Sequence, residues 1–167
     1  MHSTLIDSRF LGSLFSTPEM KNVFSDSSTL ARYTETEVAL ALAEGKLGLI
    51  PTDAAKTIAE RAPKIALDMD RLERETHNVG YPILPLVHQL AEGLGDAGKF
   101  LHWGATTQDI MDTALVLQIR AGLDLVEADL RGVAAQLRRL SAEYRDTPMA
   151  GRTHLQHALP VTFGLKT

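Results

Sequence analysis

Residues 106–147 read TTQDIMDTALVLQIRAGLDLVEADLRGVAAQLRRLSAEYRDT, and no proline follows them until Pro148. Apolar residues recur along this stretch at helical spacing. Val126, Leu130, Val133, Leu137, Leu140 and Tyr144 follow one another at steps of four and three, the seam of a coiled coil, while Ile110 to Leu125 is apolar over a broader arc. The spacing predicts a helix that begins at Thr106 or Thr107 and runs roughly 35 to 40 residues, about 55 Å at 1.5 Å per residue. Such a helix needs long partners. No other segment of the chain is long enough to cover its seam, so the missing surface is expected from other copies of the chain or from sequence beyond Thr167.

Working outward, the rest of the chain repeats the helical period, and no stretch alternates β-branched and polar residues between turns as a strand would. The fold class expected is all-α. Thr17-Pro18-Glu19 is a helix start, with proline at the first helical position. Ser28 to Leu47 is an amphipathic helix closed by Gly48 and Pro51, the next opens at Thr52 and stops at Pro63, and Asp68 to about His77 forms another. Pro82 and Pro85 then bound a break before Leu86 to Leu94. Residues 1–105 read as an N-terminal helical domain and residues 106–167 as the beginning of a central long-helix bundle. The final VTFGLKT carries no helix stop, so the chain is expected to be cut inside a helix.

Composition narrows the function. The 167 residues are 44% apolar and include no cysteine, which removes disulfides, thiolate catalysis and cysteine-based zinc sites. The formal charge is −4, with lysine and arginine scattered among acids, so no basic stripe is available to track nucleic acid. No apolar run has transmembrane length and no basic leader precedes a short apolar block, so a cytoplasmic protein without a membrane partner is expected.

Gly93-Leu-Gly95-Asp-Ala-Gly98 has the spacing of a dinucleotide loop, but it follows a helix instead of a strand and reads as a helix stop. His154 and His157 lie three apart, yet no companion ligand motif accompanies them, so no metal site is expected. His88, within the apolar LVHQL, reads as structural. Two stretches carry more. In HWGATTQDIMDT, Thr106-x-x-Asp109 is a capping box in which hydroxyl and carboxylate satisfy the first free N–H groups of the long helix. The second threonine and the preceding His-Trp-Gly lie outside that explanation; a helix N-terminus flanked by two hydroxyls is also a seat for a carboxylate. In MAGRTHLQHALPVTFG, Thr153 sits beside His154, a side chain that titrates near neutrality and suits a general acid or base. The competing reading is a capped helix start after Pro148 with surface histidines.

Together these two stretches resemble the first two motif regions of the fumarase/aspartase superfamily, with the 3-carboxy-cis,cis-muconate cycloisomerases the most similar branch. HWGATTQDIMDTALVLQIR is similar to the first motif, and TPMAGRTHLQHALPVTFGLK to the second. Trp103 and Gln108 favour that branch over the adenylosuccinate lyases, while Thr153-His154-Leu155-Gln156 is closer in wording to fumarases and aspartases. The likeness runs from Ser25 to Thr167 and corresponds to the first third or so of a family member.

The resemblance implies an all-α, fumarase/aspartase-like fold in which Thr106 and Thr107 hold a substrate carboxylate and His102 lines the site. It further implies that Thr153 and Gln156 bind substrate, that His154 is the general acid or base, and that His77 and Asn78 belong to a third binding segment. It implies a small polycarboxylate substrate, no metal or organic cofactor, and a homotetramer whose active sites are shared between subunits. The activity implied first is closure of 3-carboxy-cis,cis-muconate to 4-carboxymuconolactone in protocatechuate degradation. An adenylosuccinate- or fumarate-releasing lyase is the alternative, and a non-catalytic helical assembly module is the reading from another class. The serine-rich loop of the third motif is not in this sequence, so these 167 residues alone are expected to be inactive.

Overall fold

Several helix starts in this protein fall where a side-chain oxygen meets a free backbone N–H. The computed structural model describes residues 4–167. Thr17 accepts from the N–H of Met20 at 3.2 Å and so caps α1 (Pro18–Val23). Ser25 caps α2 (Asp26–Leu47) in the same way through the N–H of Ser28, so that α2 begins earlier than the expected Ser28. Gly48, at φ +73°, closes it. Next comes α3 (Thr52–Arg61), which runs into a 3-10 turn holding Pro63. Asp68 accepts the N–H of Arg71 at 2.9 Å and caps α4 (Met69–Val79).

The expected break from Pro82 to Leu86 is not there: α5 runs Ile83–Leu94, with Pro85 as its third residue. A helix leaves its first N–H groups unbonded in any case, so proline costs no hydrogen bond at that position. Gly95, at φ +62°, ends α5 and opens a 3-10 turn to Phe100, so the glycine triplet is a helix stop as expected. The long helix, α6, spans Thr107–Glu143 and has 37 residues.

The chain divides into two compact units between Gly122 and Leu123. In the first, Leu30 and Ala41 of α2, Ile58 of α3, Leu72 of α4 and Leu86 and Leu90 of α5 form one buried cluster. Helices α2 and α3 touch closely enough that a Cβ at Gly45 would lie 2.5 Å from the Cβ of Ala55. Two buried amides fix the helices around this core. Gln89 accepts from the N–H of Asp68 at 2.8 Å and donates to its carbonyl at 3.1 Å, which ties α5 to the cap of α4. Gln118 of α6 donates to the carbonyl of Val23 at 2.9 Å and to the hydroxyl of Thr29 at 3.0 Å.

The second unit corrects the expectation of a helix start after Pro148. Strand β1 (Pro148–Met149) pairs antiparallel with β4 (Val161–Thr162), and β2 (Arg152–Thr153) pairs with β3 (Gln156–His157). Prolines at 148 and 160 and a crowded Gly151, whose missing Cβ would strike the Leu159 carbonyl, favour this extended ribbon over a helix. Thr162 caps α7 (Phe163–Lys166), and the ring of Phe163 meets Tyr144 edge-on at 5.5 Å. The protein is nonetheless all-α in architecture, since each strand is two residues long. Along α6, Leu115, Val116, Leu123, Leu130 and Val133 are exposed. Among the described residues, no helix is long and apolar enough to cross a membrane.

The Gly45 contact generates a stability test. Gly45→Ala recovers about 1 kcal/mol of helix propensity but forces α3 away from α2, an overpacking cost of about 1–3 kcal/mol. The expected result is a net loss of about 0–2 kcal/mol in chemical denaturation; a gain in stability would show that α3 yields freely.

Candidate functional site

The turn that precedes α6 is built from two residues with left-handed backbone. Gly104 has φ +70°, which glycine adopts freely, and His102 has φ +57°, which a residue with a side chain adopts at a cost of about 1–3 kcal/mol. What holds His102 there is a hydrogen bond across the first unit: its Nδ1 lies 2.6 Å from Oε1 of Glu37 on α2. Glu37 is completely buried, and its Oε2 has no hydrogen-bond partner among the described residues. Burial pushes the Glu37 carboxyl above the ordinary carboxylate range, while the neighbouring imidazole pulls it back down. One helical turn pair further along α2, Glu44 is also buried, and burial raises its carboxyl likewise.

Only half of the expected capping box forms. The Asp109 carboxylate accepts the N–H of Thr106 at 3.0 Å. The N–H of Asp109, however, goes to the backbone carbonyl of Thr106 at 3.1 Å, not to its hydroxyl. The carbonyl has taken the donor that the hydroxyl was expected to satisfy. Neither the Thr106 nor the Thr107 hydroxyl is engaged in a hydrogen bond among the described residues, and Thr106 is exposed while Thr107 is half-buried. The first turn of α6 therefore presents two uncommitted hydroxyls at the positive end of a long helix dipole. Trp103, beside them, is 51% exposed and rests against Phe100 with ring centroids 6.2 Å apart. A cleft of about 640 Å³ adjoins the turn, with Glu44, Trp103, Asp109 and Thr113 in its lining.

His102, Thr106 and Thr107 thus share one turn. His77 and Asn78 lie elsewhere in the first unit, exposed in the last turn of α4 before Gly80 ends it at φ +91°. In the second unit, Thr153, His154 and Gln156 share the β2–β3 ribbon: Thr153 pairs with Gln156, and His154 occupies the connecting turn next to Leu155 at φ +58°. All three are exposed. His88 is exposed on α5 instead of lying in the core, because the buried face of that helix is made by Ile83, Leu86, Gln89 and Leu90. Glu37 is the residue that sequence reasoning missed. The signal was a carboxylate immediately before the apolar run VALALA, one helical turn from the buried Ala41.

Comparison with known proteins is consistent along nearly the whole chain. A family model described as Lyase matches residues 14–167. The N-acetyl-S-(2-succino)cysteine lyase of Dickeya dadantii (strain 3937) is 45% identical over 166 residues, 99% of this chain and 37% of that protein. The 3-carboxy-cis,cis-muconate cycloisomerase of Pseudomonas putida is 43% identical over 156 residues, 91% of this chain and 37% of that protein. A crystal structure described as fumarate lyase from Mesorhizobium sp. BNC1 superposes with a TM-score of 0.87 at 58% identity, covering 91% of this chain and 36% of that one. The chain therefore spans a little over a third of the length of these relatives.

The half-formed cap makes a separable prediction. Asp109→Ala removes the acceptor of the Thr106 N–H and is expected to cost about 0.5–2 kcal/mol of stability. Thr106→Val removes only an uncommitted hydroxyl and is expected to stay within about 0.5 kcal/mol of the parent. Thermal melts of the two variants side by side check this, and equal losses would mean that the hydroxyl caps the helix after all.

Proposed function

The chain belongs to the lyase family of the fumarase/aspartase superfamily, and from that premise we propose that the full-length protein is a fumarate-releasing lyase acting on a small succinyl-substituted polycarboxylate. The observation that carries this reading is the amino end of α6, where two uncommitted hydroxyls and a buried-carboxylate-bound histidine surround a helix N-terminus. Elimination removes a proton from the carbon next to one carboxylate and breaks the bond from the adjacent carbon to the leaving group. Charge accumulates on that carboxylate before the bond breaks. Donors fixed in advance at the site of that charge lower the barrier because they need no reorganisation. Thr106, Thr107 and His102 are assigned that role. Thr153 and Gln156 are assigned the second carboxylate, and His154 is assigned proton transfer, returning a proton to the departing group. His77 and Asn78, at the end of α4, are assigned to a third binding segment.

Elimination from a succinyl group, with fumarate formed and the substituent departing, is preferred because the 45% identical relative is named as a succinocysteine lyase and the 58% identical structure is described as a fumarate lyase. A second reading retains support from HWGATTQDIMDT and from the 43% identical cycloisomerase. In that reaction the substrate's own carboxylate closes on the double bond of 3-carboxy-cis,cis-muconate while the neighbouring carbon is protonated, giving 4-carboxymuconolactone, and no group leaves. Both readings use the same anion seat. The exposed apolar residues of α6 support assembly into a homotetramer, in which different copies contribute segments to each site.

Ultraviolet assays of the full-length protein test the proposal. Fumarate release from N-acetyl-S-(2-succino)cysteine is the expected result. Loss of diene absorbance from 3-carboxy-cis,cis-muconate alone moves the cycloisomerase reading to first place, and turnover of neither compound nor of adenylosuccinate overturns both. His154→Ala is expected to lower kcat by about two or more powers of ten, as loss of a general acid does, with unchanged circular dichroism.

A further inference from the structure

Glu37 is the most deeply buried polar residue among the described residues, and its hydrogen-bond partner is His102. Glu37 has no solvent exposure, whereas the His102 side chain retains 18%. The imidazole therefore turns its Nδ1 edge inward to the carboxylate at 2.6 Å, and Nε2 is the ring nitrogen left for a ligand. Three independent features converge on this ring. Its backbone is left-handed at φ +57°, its partner is a carboxylate with a second, unpartnered buried oxygen, and it stands four and five residues before the two threonines with uncommitted hydroxyls. A histidine that only filled space would need none of these. A carboxylate accepting from one ring nitrogen fixes the tautomer and the ring plane, and it favours a proton on the other nitrogen when an anion arrives.

We infer that Glu37 is a positioning residue for His102: its carboxylate accepts the hydrogen bond from Nδ1–H and holds the ring so that Nε2 faces the substrate carboxylate seated on Thr106 and Thr107. The inference deepens the proposed lyase reading and rests on it for the identity of the anion. The orientation of the ring does not depend on turnover, and that separates the two claims experimentally. Glu37 acts through His102 and does not itself touch substrate.

The test uses the full-length protein labelled with 15N in its histidines, with His102 assigned by its loss in His102→Gln. Imidazole 15N shifts report which nitrogen carries the proton. The expected tautomer is Nδ1–H in the parent protein and in Glu37→Asp, and Nε2–H in Glu37→Gln, whose amide donates where the carboxylate accepted. An Nε2–H tautomer in the parent overturns the inference without any variant, which keeps it testable if Glu37→Gln does not fold. Fumarate binding by calorimetry supplies the functional arm. Glu37→Gln is expected to weaken fumarate about tenfold in the parent background, with no further loss in the His102→Gln background. Additive losses, or a melting temperature that falls with fumarate affinity unchanged, assign Glu37 a purely structural role and overturn the inference. If the tautomer switches but the parent protein neither binds fumarate nor turns over a succinyl substrate, the positioning pair stands and the lyase reading fails.

Discussion

A carboxylate enclosed inside a small helical unit is a constraint that everything around it must satisfy. Glu37 sits on α2 among the alanines and leucines of the apolar face, where an unpaired charge would cost several kcal/mol even after the surroundings relax. His102 supplies the partner, and to do so it takes a left-handed backbone that leucine or valine would resist more strongly. The turn from the end of α5 to the start of α6 is thereby fixed to the centre of α2. Breaking a buried pair by removing one partner costs about 3–5 kcal/mol in general, far more than an exposed ion pair such as Arg131 with Glu127 contributes. The amino end of α6 is held by its most expensive interaction, not by its cap.

From that fixed end, α6 extends over 37 residues, and its two parts obey different rules. Ile110, Ala114 and Gln118 are buried and lock the first turns of the helix into the first unit. Beyond Gly122, the outward residues at steps of three and four stay exposed. A seam of leucine and valine facing water along several turns is too large to be incidental surface, and it has the period that another long helix would match. Helix length and seam thus point to the same requirement, while the first unit folds around a core of its own.

Much of this was legible because helix ends are local events. Thr17 and Asp68 announce helix starts by a side-chain oxygen three residues before a free N–H, and Gly48 and Gly95 announce stops by their backbone freedom, whereas the cap at Ser25 lies ahead of the expected start at Ser28. Pro85 misled because a proline in the first turn and a proline in a break look alike in sequence. The β2–β3 ribbon was not legible, since strands of two residues carry no period and are held by backbone bonds and the crowding at Gly151. Glu37 was hidden for a different reason. A charged residue in an amphipathic run is ordinarily solvated, and only its partner 65 residues away marks it as buried. The motif residues of the site were visible as chemistry, but the group that orients one of them was visible only in three dimensions.

The unfinished capping box follows from the same geometry. A reciprocal box would satisfy two N–H groups with two side chains and contribute about 1 kcal/mol. Here the Asp109 carboxylate is used and the Thr106 hydroxyl is not, so part of that stabilisation is forgone at the residue next to a left-handed, strained turn. Elsewhere in the first unit local preference and tertiary contact agree, as they do at Gln89 with Asp68 and at Gln118 with Thr29. Disagreement gathers at residues 102 to 107 and at the buried carboxylates Glu37 and Glu44 of α2. Local rules broken together in and against one short stretch are what the proposed anion seat at the start of α6 accounts for.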